Sequence, residues 1–151
     1  MTFALRELSQ LECSDVFEQS RFGHLACSKD NQPYVVPIYF AYEGGIAYSF
    51  AMPGQKIDWM RGNDKVCLQV EKHSPSNSWT SVVAQGRYEE FPDTDQWKQE
   101  RLHAWSLLQR FSDWWEIGAL KPHEMPVQNA SPHVFFGIVL KDISGRMVVS
   151  D

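Results

Sequence analysis

Residues 48–60 read "YSFAMPGQKIDWM", and the fold turns on them. An aromatic-rich run with strand character passes through Pro53-Gly54 and becomes a short amphipathic helix over residues 56–61. Lys56 stands at the start of that helix, where the helix dipole favours an acid. A cation there is explained if an anion shares the site. The first N–H groups of a helix lack intrahelical partners and point outward, so a positive charge beside them completes a phosphate cradle. Gly54 lets the backbone come close, and the hydroxyl of Ser49, at the end of the incoming strand, would close the site. The Walker pattern GxxxxGK[ST] is absent, and "PGQK" alone also reads as a turn followed by a surface lysine.

The surrounding composition narrows the options. A chain of 151 residues suits a single domain with one core, here residues 1–151, and 43% hydrophobic with 22% charged residues is ordinary globular usage. A net charge of −5 with no run of three basic residues argues against nucleic-acid binding. Cys13, Cys27 and Cys67 form no CxxC pair, which suits reduced thiols in a cytoplasmic protein. The opening "MTFALRELSQ" reaches Arg6 and Glu7 before any apolar core forms, so no signal peptide is expected. The apolar run 134–140 is too short to cross a bilayer. The five histidines have no metal-ligand spacing, so no metal is expected. Six tryptophans suit either a flat aromatic ligand or an apolar interface.

Working outward, Ser9-Gln10-Leu11-Glu12 is a capping box that predicts a helix of about ten residues. "FGHLACSK" and "PYVVPIYFAY" flank the turn "DNQ", and "EGG" at 43–45 turns the chain into "IAYSFA". "KVCLQVEK", "WTSVVAQGRYEEF" and "HVFFGIVLKDI" read as three more strands, the last followed by a Ser144-Gly145 turn. Pro92-Asp93-Thr94-Asp95 opens a longer helix to about Arg110, and "FSDWWEIGALKP" follows it. The expected fold is mainly β with helices (α+β), with six strands. The strand around "YVVPIYFAY" is apolar on both faces, so each face should be covered, one by the core and the other by a ligand, a helix or a second subunit. Pro37, lacking an N–H, places it at an edge or beside a bulge.

The ordered set of Gly23, Pro33 to Pro37, Gly54 with Lys56, Asn63 to Cys67, Ser81 to Arg87 and Ser144 to Arg146 resembles the FMN-binding split-barrel family. That family includes pyridoxamine 5'-phosphate oxidases and nitroimidazole-resistance flavoproteins, and the chain is most similar to the latter branch. The resemblance implies a six-stranded antiparallel Greek-key split β-barrel and a homodimer holding one FMN per subunit at the interface. It implies that the backbone of Val36, Pro37 and Ile38 faces the isoalloxazine, and that Ser49 and Phe50 touch the flavin and its phosphate tail. Lys56, with Gln55 beside it, would bind the phosphate, and Ser81 would reach the flavin edge. Trp115 in "WWE" would pack on the flavin, or with Trp114 fill the dimer core.

Departures limit the analogy. The nitroimidazole-resistance branch commonly has His at the Ser49 position and Ser at the Phe50 position, so drug reduction is not implied. The oxidases have an arginine where Gln55 stands, and Arg101-Leu102-His103 falls mid-helix, away from the oxidases' substrate-phosphate motif. Pyridoxamine phosphate is therefore not the expected substrate. Two readings follow: an FMN-dependent oxidoreductase taking hydride from a nicotinamide or other donor for a small organic substrate, or a non-catalytic flavin or haem binding or storage protein. Deazaflavin is a variant of the first.

Overall fold

The computed structural model describes residues 2–110 and 133–150. The second aromatic segment, with Trp114 and Trp115, lies outside the described residues. The order is β1 (Phe3–Glu7), α1 (Gln10–Gln19), β2 (Phe22–Lys29), β3 (Gln32–Tyr39), β4 (Ala41–Glu43), β5 (Ile46–Ala51), α2 (Gln55–Gly62), β6 (Lys65–His73), β7 (Trp79–Phe91), a single 3-10 turn (Asp95–Trp97), α3 (Lys98–Leu108) and β8 (Val134–Ser150).

Local signals explain much of this. The Ser9 hydroxyl accepts from the Glu12 N–H, and the Glu12 carboxylate accepts from the Ser9 N–H at 3.0 Å, so the capping box forms and α1 runs for ten residues. Both hairpin turns put successive residues at positive φ: Asp30 and Asn31 in one, Gly44 and Gly45 in the other. Arg6 meets Glu12 in a two-pronged pair at 3.0 and 2.9 Å, tying β1 to α1. Hydrogen bonds from Arg6 and then from the Ser9 backbone pull the Glu12 carboxyl from the usual 4.5 to about 2. A carboxyl depressed in the folded state stabilises above its unfolded value and loses that contribution as pH falls through the folded one. Glu12→Gln should therefore remove part of the acid dependence of stability between about pH 4.5 and 2, measured by urea unfolding across that range.

Among the described residues eight strands form one antiparallel sheet in the order β3-β2-β6-β7-β8-β5-β4, with β1 added on β8. Two departures raise the count from the expected six. Residues 3–7 pair antiparallel with 146–150, and the strand expected at "PYVVPIYFAY" is interrupted at Phe40, giving β3 and β4. The sheet is not closed by hydrogen bonds as a complete barrel would be. Its two edge strands, β3 and β4, are consecutive in the chain with Phe40 alone between them, so the sheet must curl until its edges nearly meet. Phe40 is buried against Phe17 of α1 and plugs the seam. Pro37 thus lies on an edge strand, where its missing N–H breaks no ladder.

The expected Ser144-Gly145 turn does not occur. β8 continues through both residues, which pair with Val83 and Val82 of β7. Glycine is needed there for space: a Cβ would sit 2.9 Å from Leu8 and 3.0 Å from both Cys13 and Val82. The main core inside the curl gathers Phe17, Leu25, Phe40, Ile57, Met60, Leu68, Phe136 and Ile138. A second core, with Phe50, Phe91 and Phe135, lies under α3. Among the described residues no helix is long and apolar enough to cross a membrane.

Candidate functional site

The strand-to-helix junction at the end of β5 carries the first group of residues. Gly54 is the N-cap of α2, and no side chain caps that end. Its φ of 179° is extended backbone open to any residue, and a Cβ there would come no nearer than 4.0 Å to the Met52 carbonyl oxygen. Neither conformation nor packing among the described residues calls for glycine at this helix start. Ile57 and Met60 anchor α2 in the core, and Trp59 packs on Tyr34 at 5.4 Å. Arg61 clamps the far end to Glu90 on β7 at 2.7 and 3.1 Å, and the Tyr88 hydroxyl donates to the same carboxylate. Burial works to raise the Glu90 carboxyl, but Arg61 and Tyr88 outweigh it and hold it below the usual range.

Lys56 is not a surface lysine: it is 8% exposed, one of three buried polar or charged residues among those described. Its charge acts on the buried thiol of Cys27, although burial dominates there and keeps that thiol above its usual value. Ser49 is also buried, and its hydroxyl donates to the Tyr39 carbonyl at 2.7 Å. That bond joins β5 to the end of β3 across the seam. A serine hydroxyl has one proton, so Ser49 as placed acts as a seam bolt rather than a donor to a phosphate. Ser49→Ala should cost about 1 kcal/mol in chemical denaturation by leaving the Tyr39 carbonyl without this donor. Phe50 stacks on His133 at 4.7 Å and meets Phe135 at 5.4 Å inside the second core. Arg101 donates to the Phe91 carbonyl at 2.9 Å and lies over the Phe135 ring, a packing role consistent with its place in mid-helix.

The second group lies on the outer face of the sheet. Ile38 is buried and Val36 partly so, while Val35 is 60% exposed and Pro37 is exposed beside Phe22 and Tyr39. One face of the doubly apolar strand is thus in the core, and the other, with Val35 and Pro37, is exposed among the described residues. On the same outer face Pro37 pairs with His24, His24 with Gln69 and Gln69 with Val83. His24 Nδ1 lies 3.3 Å from Gln69 Oε1, and Gln69 Nε2 donates to Ser81 Oγ at 3.1 Å. Ser81 and Trp79 line a cavity of about 480 Å³ whose walls include Glu7, Leu8, Ser144 and Arg146. Gln69 had no signal in the sequence, because a lone glutamine in a strand looks like any solvated residue.

The structure therefore brings Gln55, Lys56 and the end of β5 together, and separately joins the outer face of β3 to Ser81 through His24 and Gln69. It does not bring Ser81 to Lys56 within one chain. α2 packs on β2, with Asn63 reaching Ser28 and the Lys56 charge acting on Cys27, whereas Ser81 pairs with Glu71 of β6, two residues past the Gln69 that pairs with His24. Five strand residues separate these levels, about 17 Å, and Cys27 faces the core while Ser81 shares the outer face with Gln69 and His24. Trp115 lies outside the described residues. Among the described residues no group of three or more His, Cys, Asp or Glu could hold a metal ion.

Comparison with known proteins adds an independent line. The family model described as pyridoxamine 5'-phosphate oxidase matches residues 9–147. An uncharacterized protein of Rhizobium meliloti (strain 1021) is 46% identical over 142 residues, covering 94% of both chains. The crystal structure of an FAD-binding protein from Mesorhizobium loti is 49% identical, covers 97% of this chain and 99% of that one, and superposes with a TM-score of 0.80. A putative 5-nitroimidazole antibiotic resistance protein from Bacteroides thetaiotaomicron, 19% identical over 98% of this chain and 90% of its own, shares the fold with a TM-score of 0.72.

Proposed function

Because the chain belongs to the pyridoxamine 5'-phosphate oxidase family, with a split-barrel-type fold, we propose that it binds a flavin nucleotide and uses it as an oxidoreductase. The observation that carries the reading is Lys56: a buried cation in the first turn of a helix with no side-chain cap, beside a glycine that no described residue requires. A cation beside the outward-pointing first N–H groups of a helix suits an anion shared between them, and a phosphate at the α2 N-terminus would take that place. Gln55 and the first N–H groups of α2 would share that phosphate.

The flavin ring would lie against the outer surface of β3, along Val36, Pro37 and Ile38. A second copy of the chain would cover what the ring leaves open, because Val35 and Phe22 stay wet in a single chain. Lys56, acting on Cys27, and Ser81, paired with Glu71, stand at different levels of the sheet, so a homodimer would let one subunit hold the phosphate tail while its partner meets the ring edge. Bound flavin supplies two-electron transfer, and the chain orients it and excludes water. FMN is the ligand proposed first, since the cradle accounts for one phosphate. FAD is the second, because the Mesorhizobium loti relative is an FAD-binding protein.

The test is turnover. Purified protein loaded with FMN or FAD is mixed anaerobically with a reduced nicotinamide, and bleaching of the flavin band is followed before an organic acceptor is added. Reduction by the nicotinamide and reoxidation by the acceptor over many cycles supports the oxidoreductase reading. A flavin that stays oxidised with every donor would leave a binding or storage protein instead.

A further inference from the structure

We infer that His24 and Gln69 are positioning residues that fix the direction of the Ser81 hydroxyl, so that its proton points into the cavity as a hydrogen-bond donor. The inference rests on the flavin reading, which puts an acceptor at Ser81, and adds residues and a polarity which that reading does not contain.

The argument is one of counting protons. The Gln69 side chain spans two neighbours, His24 on β2 and Ser81 on β7. Its Nε2 donates to Ser81 Oγ at 3.1 Å, so Oε1 faces His24 Nδ1 at 3.3 Å. An amide oxygen only accepts, so Nδ1 must carry the proton, whether the imidazole is neutral or charged. The Phe22 ring meets the His24 ring edge-on at 5.7 Å and restrains its turning. Both bonds then run one way, imidazole N–H to amide oxygen and amide N–H to serine oxygen, which leaves the serine O–H to turn outward. Ser81 already accepts from Gln69, and its own proton is left for whatever occupies the cavity it lines. With one lone pair filled by Gln69, Ser81 keeps its proton and one lone pair, and the proton is turned away from the amide; acceptors such as the carbonyl oxygens along a flavin ring edge suit it. A serine without the relay would rotate freely, whereas the relay biases its proton toward the cavity.

Four purified proteins test this: wild type, Ser81→Ala, Gln69→Glu and the double variant. Each is titrated with FMN, and both the dissociation constant and the position of the flavin visible band are read, alongside the thermal midpoint of the protein without flavin. Glutamate keeps the shape of glutamine but, as a carboxylate, only accepts, so it draws the Ser81 proton into the sheet. We expect Ser81→Ala to weaken FMN about fivefold and shift the band, as loss of one neutral hydrogen bond should. Gln69→Glu should do the same, and the double variant should lose no more than either single one. The relay is overturned if Gln69→Glu binds FMN as wild type does with an unshifted band. It is equally overturned if the effect of Gln69→Glu persists in full on the Ser81→Ala background, since the new charge would then be acting on its own. A Ser81→Ala protein indistinguishable from wild type would remove the acceptor from Ser81 and the relay with it. Failure of wild type to bind FMN or FAD would instead strike the flavin reading itself.

Discussion

Replacing Lys56 with alanine is expected to weaken FMN binding by roughly ten- to hundredfold, the loss of about 1.5–3 kcal/mol that a charge-assisted bond to phosphate contributes. The cause is specific to the phosphate end. Lys56 is 8% exposed at the open end of α2, and no side chain caps that helix. The expected signature is a loss of affinity with an unshifted flavin band, because the ring would lie on β3 and not at α2. Lys56→Met keeps the buried stem and loses only the charge, so it should match alanine in FMN affinity while differing less from wild type in stability. Fluorescence quenching of FMN titrated with each protein reads the affinity. Wild-type affinity in both variants would mean that the phosphate is held elsewhere.

The second large effect belongs to Gly23. A Cβ at this position of β2 would sit 2.7 Å from the backbone oxygen of Gln69, with Val70 and Leu68 at 3.1 and 3.3 Å. A side-chain end can move aside, but a backbone oxygen in the neighbouring strand can yield only if the pairing of β2 with β6 opens. That pairing is short, spanning His24 to Ala26, so little holds it shut. Gly23→Ala should cost about 2–3 kcal/mol in urea unfolding, at the upper end of overpacking penalties. It should also disturb the Gln69–Ser81 bond, since it pushes on the same residue. A loss below about 0.5 kcal/mol would show that the two strands part easily and that the space around Gly23 is not what selects glycine.

How far the sequence reveals the fold depends on how local each signal is. The capping box at Ser9 and Glu12, the Asp30-Asn31 turn and the Gly44-Gly45 turn each act over four residues or fewer, and all appear where their chemistry puts them. The short helix after Pro53-Gly54 is legible for the same reason. What escapes is set by partners far along the chain. The strand at 3–7 exists because β8 extends to Ser150 and offers it an edge, and nothing within "FALRE" announces that. Gly145 looks like a turn residue locally, whereas the crowding of Leu8, Cys13 and Val82 accounts for it in a strand.

The site follows the same rule. Lys56 stands out because a cation at a helix start conflicts with the dipole, and its burial sharpens the conflict. Ser49 reads equally well as an anion ligand or a structural hydroxyl, and only the position of the Tyr39 carbonyl shows where its proton goes. The doubly apolar strand is legible as needing two covers, and the structure supplies one of them. His24, Gln69 and Ser81 lie 45 and 12 residues apart in sequence and become neighbours only through the β2–β6–β7 pairing, so no motif could have linked them.

The most direct test of the central claim is the visible spectrum of the purified protein titrated with FMN, with any cofactor it carries from the cell released and identified by mass. A flavin band, quenched fluorescence and saturation at one flavin per chain is the predicted result. A protein that carries no flavin and leaves the spectrum and fluorescence of added FMN and FAD unchanged would contradict it.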